Sequence, residues 1–342
     1  MLALGIETSC DETAAAVVRD GLDIISDVVY TQSDLHCRFG GVVPEIASRM
    51  HVEKISLAIE QALDQAGIDG RQVDCIAVTN RPGLLGSLLV GLTAAKMLTL
   101  AWGKPIVSVN HVEAHMYAGR MTQPDLEYPA VGLVVSGGHT ALYHNTAATE
   151  YHYLGGTIDD AAGEAFDKIA NLFELGYPGG PLIDRLAAQG DPEAYAFPKS
   201  FARENNYKFS FSGLKTAVLY EAMGSPGPRN DELIRSNING ERKADMAASF
   251  QKAVIDVLVA KLFYTADRLR VKAVIAGGGV ACNSLLRREV EARGRREGYQ
   301  VIIPPPELCT DNAAMVAGLG ACRFAAGQCD DLAQLDAFPR MA

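Results

Sequence analysis

The chain has 342 residues and a formal net charge of −10, and 48% of its residues are hydrophobic while 21% are charged. A chain this apolar excludes an intrinsically disordered protein, and its length predicts about two domains, each large enough to bury a core. The acidic balance argues against a stand-alone nucleic-acid binder, a class that usually carries a basic surface.

Membrane and secretion signals are not expected. The most apolar uncharged run, residues 82–95, is shorter than the roughly 18–20 residues that a membrane span needs. The start of the chain has no basic region and already contains the acidic residues Glu7, Asp11 and Glu12, so no signal peptide is predicted. The seven cysteines are scattered and include no CxxC pair, which is typical of reduced thiols. These features predict a cytoplasmic protein.

The first half of the chain predicts three strands followed by alternating helices and strands. Alternating and continuous apolar runs predict strands at residues 2–8, 13–18, 22–30, 75–79 and 106–109. Helical periodicity predicts helices at residues 46–66, at residues 84–102 and from residue 111. The pair Asp20-Gly21 is typical of a hairpin turn, and Gly67 ends the first long helix.

The second half repeats this order. Strands are predicted at residues 130–135, from 140, near 151–154, and at 273–276 and 300–303. Helices are predicted at residues 160–188, 244–269 and 283–292 and from 310, and residues 224–242 predict an exposed loop. The duplication predicts two similar α/β lobes with a cleft between them, with ligands beyond the strand ends.

Three polar turns are candidates for holding an anion. They lie at residues 8–13, 136–138 and 277–279. Glycine lets the backbone approach a ligand closely, and successive N–H groups form an anion-binding concavity. Asn283 opens the helix after the third turn, which suits a nucleotide. A plain tight turn is the alternative at each place. The chain has neither GxxxxGK[ST] nor GxGxxG, so the P-loop and dinucleotide hypotheses lose their main support.

Two histidines have the spacing of metal ligands. His111 and His115 are four residues apart and therefore share one face of the predicted helix. Two histidines with a carboxylate suit iron or zinc. In the HExxH motif the glutamate directly follows the first histidine, whereas Glu113 comes one position later. A metallopeptidase would therefore lack its general base. The alternative is two histidines on a helix surface, and the spacing alone identifies no third ligand.

Two further patterns each allow two interpretations. Asp160, Glu164 and Asp167 form one acidic stripe, which either faces a ligand or is a solvated face with a Glu164–Lys168 pair. Residues 197–215 interleave basic and aromatic side chains, namely Lys199, Arg203, Lys208 and Lys215 with Phe201, Tyr207, Phe209 and Phe211. Such a segment binds a single-stranded RNA loop, or it is a basic loop whose aromatic side chains lie in the core.

Nine stretches of the chain resemble the TsaD family (also called Gcp or YgjD), the tRNA adenosine threonylcarbamoyltransferases. They are GIETSCDET (5–13), GGVVPEIASR (40–49), NHVEAH (110–115), VSGGHT (135–140), DDAAGEAFDK (159–168), YPGGP (177–181), FSFSGLKT (209–216), AGGGVACN (276–283) and CTDNAAM (309–315). The resemblance implies an α/β fold with two ribonuclease-H-like lobes of the acetate kinase, sugar kinase and actin superfamily. The first lobe would contain residues 1–125, completed by a C-terminal helix at 320–342, and the second would contain residues 126–319.

The resemblance also implies the reaction and its residues. The threonylcarbamoyl group would pass from threonylcarbamoyl-AMP to N6 of the adenosine at position 37 of tRNAs that read codons beginning with A, with release of AMP. One Fe²⁺ or Zn²⁺ would be bound by His111, His115 and Asp311. The implied substrate-binding residues are Val134, Val135, Ser136, Gly137, Gly138, Asp167, Gly180, Asp184 and Asn283. Some relatives have a tyrosine just before the SGG turn, where this chain has two valines.

For the mechanism, we expect the metal and the N–H groups of residues 136–138 to stabilise the developing oxyanion. Asp11 or Glu12 would orient the attacking amine or steady the phosphate. A kinase or ATPase of the same superfamily, or a nucleotide-binding scaffold subunit, is the alternative function.

The resemblance further implies a tRNA anticodon loop as partner, together with a TsaB-like paralogue and a TsaE-like ATPase, while a TsaC-type enzyme makes the donor. The small-residue helix at 84–102 is a candidate contact for the paralogue, with ordinary packing inside the lobe as the alternative. Because the chain is acidic, we expect weak tRNA binding unless partner proteins add positive surface.

Overall fold

The structure, a computed structural model, describes residues 1–340. These residues form two compact units. Unit 1 contains Met1–Leu126, Ala147–Tyr151 and the described residues from Pro304 onward. Unit 2 contains Glu127–Thr146 and His152–Ile303. The chain therefore returns to unit 1 at Pro304, whereas the sequence placed that return at residue 320.

Unit 1 begins with a mixed five-stranded sheet. Its elements are β1 (Leu2–Glu7), β2 (Glu12–Arg19), β3 (Asp23–Thr31), α1 (Ser33–Cys37), α2 (Pro44–Ala66), β4 (Cys75–Arg81), α3 (Leu85–Trp102), β5 (Ile106–Asn110) and α4 (His111–Thr122). The strand order is β3-β2-β1-β4-β5, with β1, β2 and β3 antiparallel and β4 and β5 parallel to β1. β1, β2 and β4 are apolar and buried almost throughout, as expected for strands covered on both faces.

Unit 2 repeats this topology. Its elements are β6 (Ala130–Val135), β7 (Thr140–Ala147), β8 (Glu150–Gly156), α5 (Ala162–Leu172), α6 (Gly179–Ala187), α7 (Ser212–Met223), α8 (Asp231–Asn237), α9 (Gly240–Leu269), β9 (Ala273–Gly277), α10 (Ser284–Glu297) and β10 (Gln300–Ile302). The order β8-β7-β6-β9-β10 corresponds strand for strand to the first sheet, again with an antiparallel hairpin and two parallel strands beside the first strand. The predicted duplication and the α/β fold class are confirmed.

Two short helices complete unit 1, namely α11 (Pro306–Cys309) and α12 (Ala313–Ala325). α12 packs against β1, β2, β4 and α4. It approaches β1 so closely that a Cβ atom on Gly5 would lie 2.3 Å from the carbonyl oxygen of Ala313. This contact explains why the chain rejoins unit 1 before residue 320. The helix ends at Ala325, so the helix predicted at 320–342 is wrong over the described residues beyond that point.

Residues 224–242 also differ from the sequence prediction. They contain α8 and the start of α9 instead of an uninterrupted loop. The side chain of Asn230 caps α8, and Ile234 is buried on it. A helix of two turns with one buried position is too short to show helical periodicity.

α3 has an apolar surface. Among residues 1–340 it is the one helix long and apolar enough to cross a membrane, a property that core helices of water-soluble proteins share. Four of its large apolar side chains are exposed, with relative exposures of 42–66%: Leu85, Leu89, Met97 and Leu100.

Candidate metal centre and nucleotide site

The structure brings His111, His115 and Asp311 together in unit 1. α4 begins at His111 because the side chain of Asn110 caps its first turn. The four-residue spacing puts both imidazoles on one face, with their ring centroids 4.6 Å apart. Asp311 precedes α12, and its Oδ1 lies 3.5 Å from His111 Nε2 and 3.2 Å from His115 Nε2.

This cluster has the properties of a cation site. One ligand atom from each of the three residues can be chosen so that all lie within 4.8 Å of one another. The His115 side chain is 1% exposed, and neither of its ring nitrogens makes a well-directed hydrogen bond, although Nε2 lies 3.2 Å from Asp311 Oδ1. Because an unpaired buried polar group is costly, a metal ion there would satisfy the ring. Two imidazoles and one carboxylate fit Fe²⁺ or Zn²⁺.

The charges around the two imidazoles also favour a cation. Burial lowers the pKa of His111, but the carboxylates of Asp311 and Glu7 outweigh it and raise that pKa to about 9. Burial lowers the pKa of His115. The buried carboxylate of Glu7 and the half-buried carboxylate of Asp311 therefore stabilise positive charge at this position.

Glu113 does not take part in this cluster. Its carboxylate pairs with the Arg323 guanidinium, which also donates to the carbonyl of Ser108. The structure thus gives Glu113 a structural partner, in line with the sequence argument against an HExxH peptidase.

Asp11 and Glu12 lie in the turn between β1 and β2. Both are half-buried, and Glu12 accepts a hydrogen bond from the Thr31 hydroxyl over 3.2 Å. Burial, together with the nearby charges of Asp311 and Asp11, raises the pKa of Glu12 well above its usual value. Burial and the two neighbouring carboxylates therefore both disfavour the charged form of Glu12.

In unit 2, the SGG turn joins β6 to β7. The Ser136 N–H donates to the His139 carbonyl, and the His139 N–H donates to Ser136 Oγ, which closes the turn. Gly137 and Gly138 are exposed, and a Cβ atom on either would meet nothing within 4 Å. The open backbone of this turn has room for a ligand.

Val134 and Val135 precede this turn at the end of β6. Both side chains are wholly buried, and β6 pairs with β7 and β9. A ligand can therefore reach these two residues only through their main chain.

Asp167 and Gly180 lie at the junction of α5 and α6. Asp167 Oδ1 accepts a hydrogen bond of 2.7 Å from the N–H of Gly179, the first residue of α6. The predicted acidic stripe is wrong at its first member, because Asp160 precedes α5. Asp160 and Glu164 both pair with Lys168, which supports the solvated-face interpretation for these two residues.

Asp184 and Asn283 are joined by a glutamine that the sequence analysis missed. Gln251 on α9 donates from Nε2 to Asp184 Oδ1 over 3.1 Å, and its Oε1 accepts from Asn283 Nδ2 over 2.8 Å. Asp184 also accepts from the Ser284 hydroxyl. Asn283 Oδ1 caps α10 by accepting from the Leu286 N–H. The one sequence signal for Gln251 is a polar residue within an otherwise apolar face of a long helix.

The basic and aromatic segment at 197–215 divides into two parts. Phe209 and Phe211 are buried in the core of unit 2, so the core interpretation is correct for them. Arg203 and Lys208 are exposed. A cavity of about 410 Å³ is lined by Phe197, Lys199, Phe201, Ala202, Arg203 and Glu204.

Comparison with known proteins identifies the family. The model of the family described as TsaD, tRNA N6-adenosine threonylcarbamoyltransferase, matches residues 23–318. A protein of that name from Geotalea uraniireducens is 52% identical over 317 residues, which cover 93% of this chain and 90% of the relative. Another from Anaeromyxobacter dehalogenans is 51% identical over 326 residues, covering 95% of both chains.

Solved structures of low sequence identity support the fold. HypF of T. kodakarensis has a TM-score of 0.63 at 14% identity and matches 95% of this chain and 48% of its own. Component A of the Acidaminococcus fermentans (R)-2-hydroxyglutaryl-CoA dehydratase has a TM-score of 0.56 at 15% identity, covering 95% of this chain and 99% of its own.

The relatives confirm the resemblance seen in the nine motifs, and they do not favour the kinase, ATPase or scaffold alternatives. The chain belongs to the tRNA N6-adenosine threonylcarbamoyltransferases, acyltransferases that modify N6 of an adenosine in tRNA.

Proposed function

We propose that unit 1 holds one Fe²⁺ or Zn²⁺ through His111, His115 and Asp311, and that unit 2 binds the adenylate of the donor, threonylcarbamoyl-AMP. The observation that carries the metal proposal is the buried His115 ring: its Nε2 lies next to a second imidazole and 3.2 Å from Asp311 Oδ1, without a well-directed hydrogen bond to either. A bound divalent cation would supply Lewis acidity toward an oxygen of the substrate.

The adenylate proposal rests on the polar groups around α6, α9 and α10. Asn283 uses its Oδ1 to cap α10 and one amide hydrogen to bind Gln251, which leaves the second amide hydrogen for a nucleotide. Asp184 accepts three hydrogen bonds from Gln251 and Ser284 and is therefore fixed in place near the start of α10. Gly180 lies in the first turn of α6 with open space beside its Cα atom, so its backbone can approach a ligand.

The chemistry that these residues serve is an acyl transfer. The N6 amine of the adenosine attacks the carbamoyl carbonyl and releases one proton to solvent, the bond from that carbon to the phosphate oxygen breaks, and AMP leaves. The exposed N–H groups of Gly137 and Gly138 would stabilise the charge that develops on the carbonyl oxygen, an effect of about 3–4 kcal/mol for one well-placed donor. Asp11 or Glu12 would orient the amine or the phosphate.

The proposal also states which adenosine is modified and in which tRNAs. We assign the target to position 37, beside the anticodon, in tRNAs that read codons beginning with A. Arg203 and Lys208 are exposed cations of the segment at 197–215 and would contact phosphates of the anticodon loop, while the exposed Lys199 pairs with Asp256. With a net charge of −10, the chain needs positive surface from partner proteins for tight binding.

The exposed apolar side chains of α3 support a partner protein. Four exposed large apolar side chains on one helix favour association with another apolar surface. We propose that a TsaB-like paralogue covers it, that a TsaE-like ATPase assists, that a TsaC-type enzyme supplies the donor, and that all act in the cytoplasm.

The test combines metal analysis with nucleoside mass spectrometry of tRNA. The chain and its partner proteins are incubated with tRNA, threonine, bicarbonate and ATP. His111→Ala and Asp311→Asn should each lower bound metal and N6-threonylcarbamoyladenosine to less than about a tenth of the wild-type value. His152→Ala, which removes an exposed histidine in unit 2, is the matched control and should change neither. Full transfer by His111→Ala after chelation would exclude the metal role.

A further inference from the structure

Glu7 is a buried carboxylate that the proposed chemistry does not use. It is the last residue of β1, and its side chain is 0% exposed. A buried carboxylate is tolerated only where hydrogen-bond donors surround it. Oε1 accepts the Ser9 N–H over 2.6 Å, and Oε2 accepts the Thr79 hydroxyl over 2.6 Å. The third partner is His111, whose Nδ1 lies 3.0 Å from Oε2.

The contact with His111 determines which ring nitrogen carries the hydrogen. An ionised carboxylate accepts hydrogen bonds and donates none, so the Nδ1 atom facing Glu7 must hold its hydrogen. The Ser9 hydroxyl, 3.2 Å from the same nitrogen, can rotate to accept. In a neutral imidazole the other nitrogen then has a lone pair, and this is the Nε2 atom that faces Asp311.

We propose that Glu7 is the positioning residue of the metal centre: it fixes the ring of His111 and holds the Nδ1 hydrogen, so that Nε2 is presented to a divalent cation. The inference rests on the metal centre proposed above. Because Glu7 is wholly enclosed, it cannot touch a substrate, and its effect passes through His111. A carboxylate behind a metal-bound histidine commonly changes metal affinity by about 10–100-fold.

Glu7→Gln tests this role because it keeps the shape of the side chain and replaces the acceptor that faces His111 by a donor. The oxygen of the introduced amide would still accept the Ser9 N–H, while its NH₂ group would face Thr79 and His111. The Thr79 hydroxyl can rotate to accept, but His111 can accept only by moving its hydrogen to Nε2. Thr79→Val is the matched control, because it removes a hydrogen bond to the same Glu7 oxygen and leaves the contact with His111.

The experiment measures the Zn²⁺ affinity of the full chain by competition with a chelator. It also determines by ¹⁵N NMR which ring nitrogen of His111 carries hydrogen. We expect Glu7→Gln to bind Zn²⁺ about 10–100-fold more weakly than the wild type, and Thr79→Val to stay within about twofold. In the Zn²⁺-loaded wild type, His111 should carry hydrogen on Nδ1 with Nε2 as the ligand atom. This last measurement needs no variant, so it decides the question even where Glu7→Gln fails to fold.

Three results overturn the proposal, in two different ways. Unchanged Zn²⁺ affinity in Glu7→Gln, or a wild-type His111 that binds Zn²⁺ through Nδ1, removes the role of Glu7 while the metal centre stands. Equal Zn²⁺ affinity in the wild type and in His111→Ala removes the metal centre itself, and the role of Glu7 with it.

Discussion

The Nε2 atom of His51, on α2, lies 3.0 Å from the carbonyl oxygen of Cys10, which is in the turn between β1 and β2. The other ring nitrogen, Nδ1, lies 2.8 Å from the hydroxyl of Thr13 at the start of β2. Because Nε2 donates to a carbonyl, Nδ1 accepts from the hydroxyl. Burial lowers the pKa of His51, which keeps the ring neutral. One buried imidazole thus holds both ends of the turn that carries Asp11 and Glu12.

Replacing this imidazole should destabilise unit 1. His51→Phe keeps a planar ring but leaves the Cys10 carbonyl and the Thr13 hydroxyl without their partner, and we expect a loss of about 2–4 kcal/mol in the free energy of unfolding. Thr13→Val removes one of the two hydrogen bonds and should cost about 1 kcal/mol. Urea denaturation measures both values. A His51→Phe protein as stable as the wild type would show that the turn does not depend on this ring.

The amide of Gln251 should affect nucleotide binding through its two neighbours. Gln251→Leu removes the hydrogen bonds to Asp184 and Asn283 without changing the length of the side chain much. We expect the affinity for AMP, measured by calorimetry, to fall about 10-fold, which corresponds to about 1.4 kcal/mol. Gln189→Leu, an exposed glutamine of the same unit, is the control and should bind AMP like the wild type. Equal affinities in both variants would place the adenylate elsewhere.

Asp27 on β3 should make stability depend on pH. Its Oδ1 atom is buried without a hydrogen-bond partner, and burial raises the pKa of the carboxyl to about 6 although the N–H groups of Ala313 and Ala314 lower it. Since the unfolded pKa is about 3.9, the folded state binds more protons between about pH 4 and pH 6. The stabilising effect of the protonated form is therefore complete below about pH 4 and is lost as the pH rises through about 6.

Asp27→Asn tests this dependence because the amide oxygen still accepts from the start of α12. Relative to the wild type, its free energy of unfolding should rise between pH 4 and pH 7 by an amount on the order of 2–3 kcal/mol. Asp23→Asn, at the exposed end of the same strand, is the comparison and should not show this rise. Parallel pH profiles for Asp27→Asn and the wild type would contradict the prediction.

Lys261 should hold the exposed loop of unit 2 in place. Its side chain is 1% exposed, and Nζ donates to the carbonyl oxygens of Glu204 and Asn206 and to Asn206 Oδ1. Lys261→Met leaves these acceptors without a donor, so we expect a loss of about 2–4 kcal/mol and faster amide hydrogen exchange in residues 204–208. Lys272→Met removes an exposed lysine and should leave the exchange of that loop unchanged. Unchanged exchange in Lys261→Met would show that the loop is held by other contacts.

The sequence predicted the fold well because both halves repeat one order of strands and helices. Apolar runs bounded by polar turns mark strand ends within a few residues, as in β1 and β6. α8 escaped detection because a helix of two turns shows little periodicity, and the return to unit 1 escaped because it depends on how α12 packs. Those contacts are tertiary, and no local pattern encodes them.

Only part of the candidate site could be predicted from the sequence. The spacing of His111 and His115 is local, but Asp311 lies far along the chain, and only the family resemblance named it. Glu7 and Gln251 were missed because their roles depend on neighbours from other elements. The aromatic segment left two interpretations open, because composition cannot show that Phe209 and Phe211 lie in the core.

The order of segments in unit 1 has a consequence for synthesis on the ribosome. All of unit 2 is translated between His115 and Asp311, and α12, which covers the first sheet, follows it. A nascent chain that reaches Ile303 can complete unit 2 while unit 1 still exposes the face of β1 that α12 will cover. The unit that is translated first is therefore finished last, and the clustered side chains of His111, His115 and Asp311 meet only after the second unit has had time to fold.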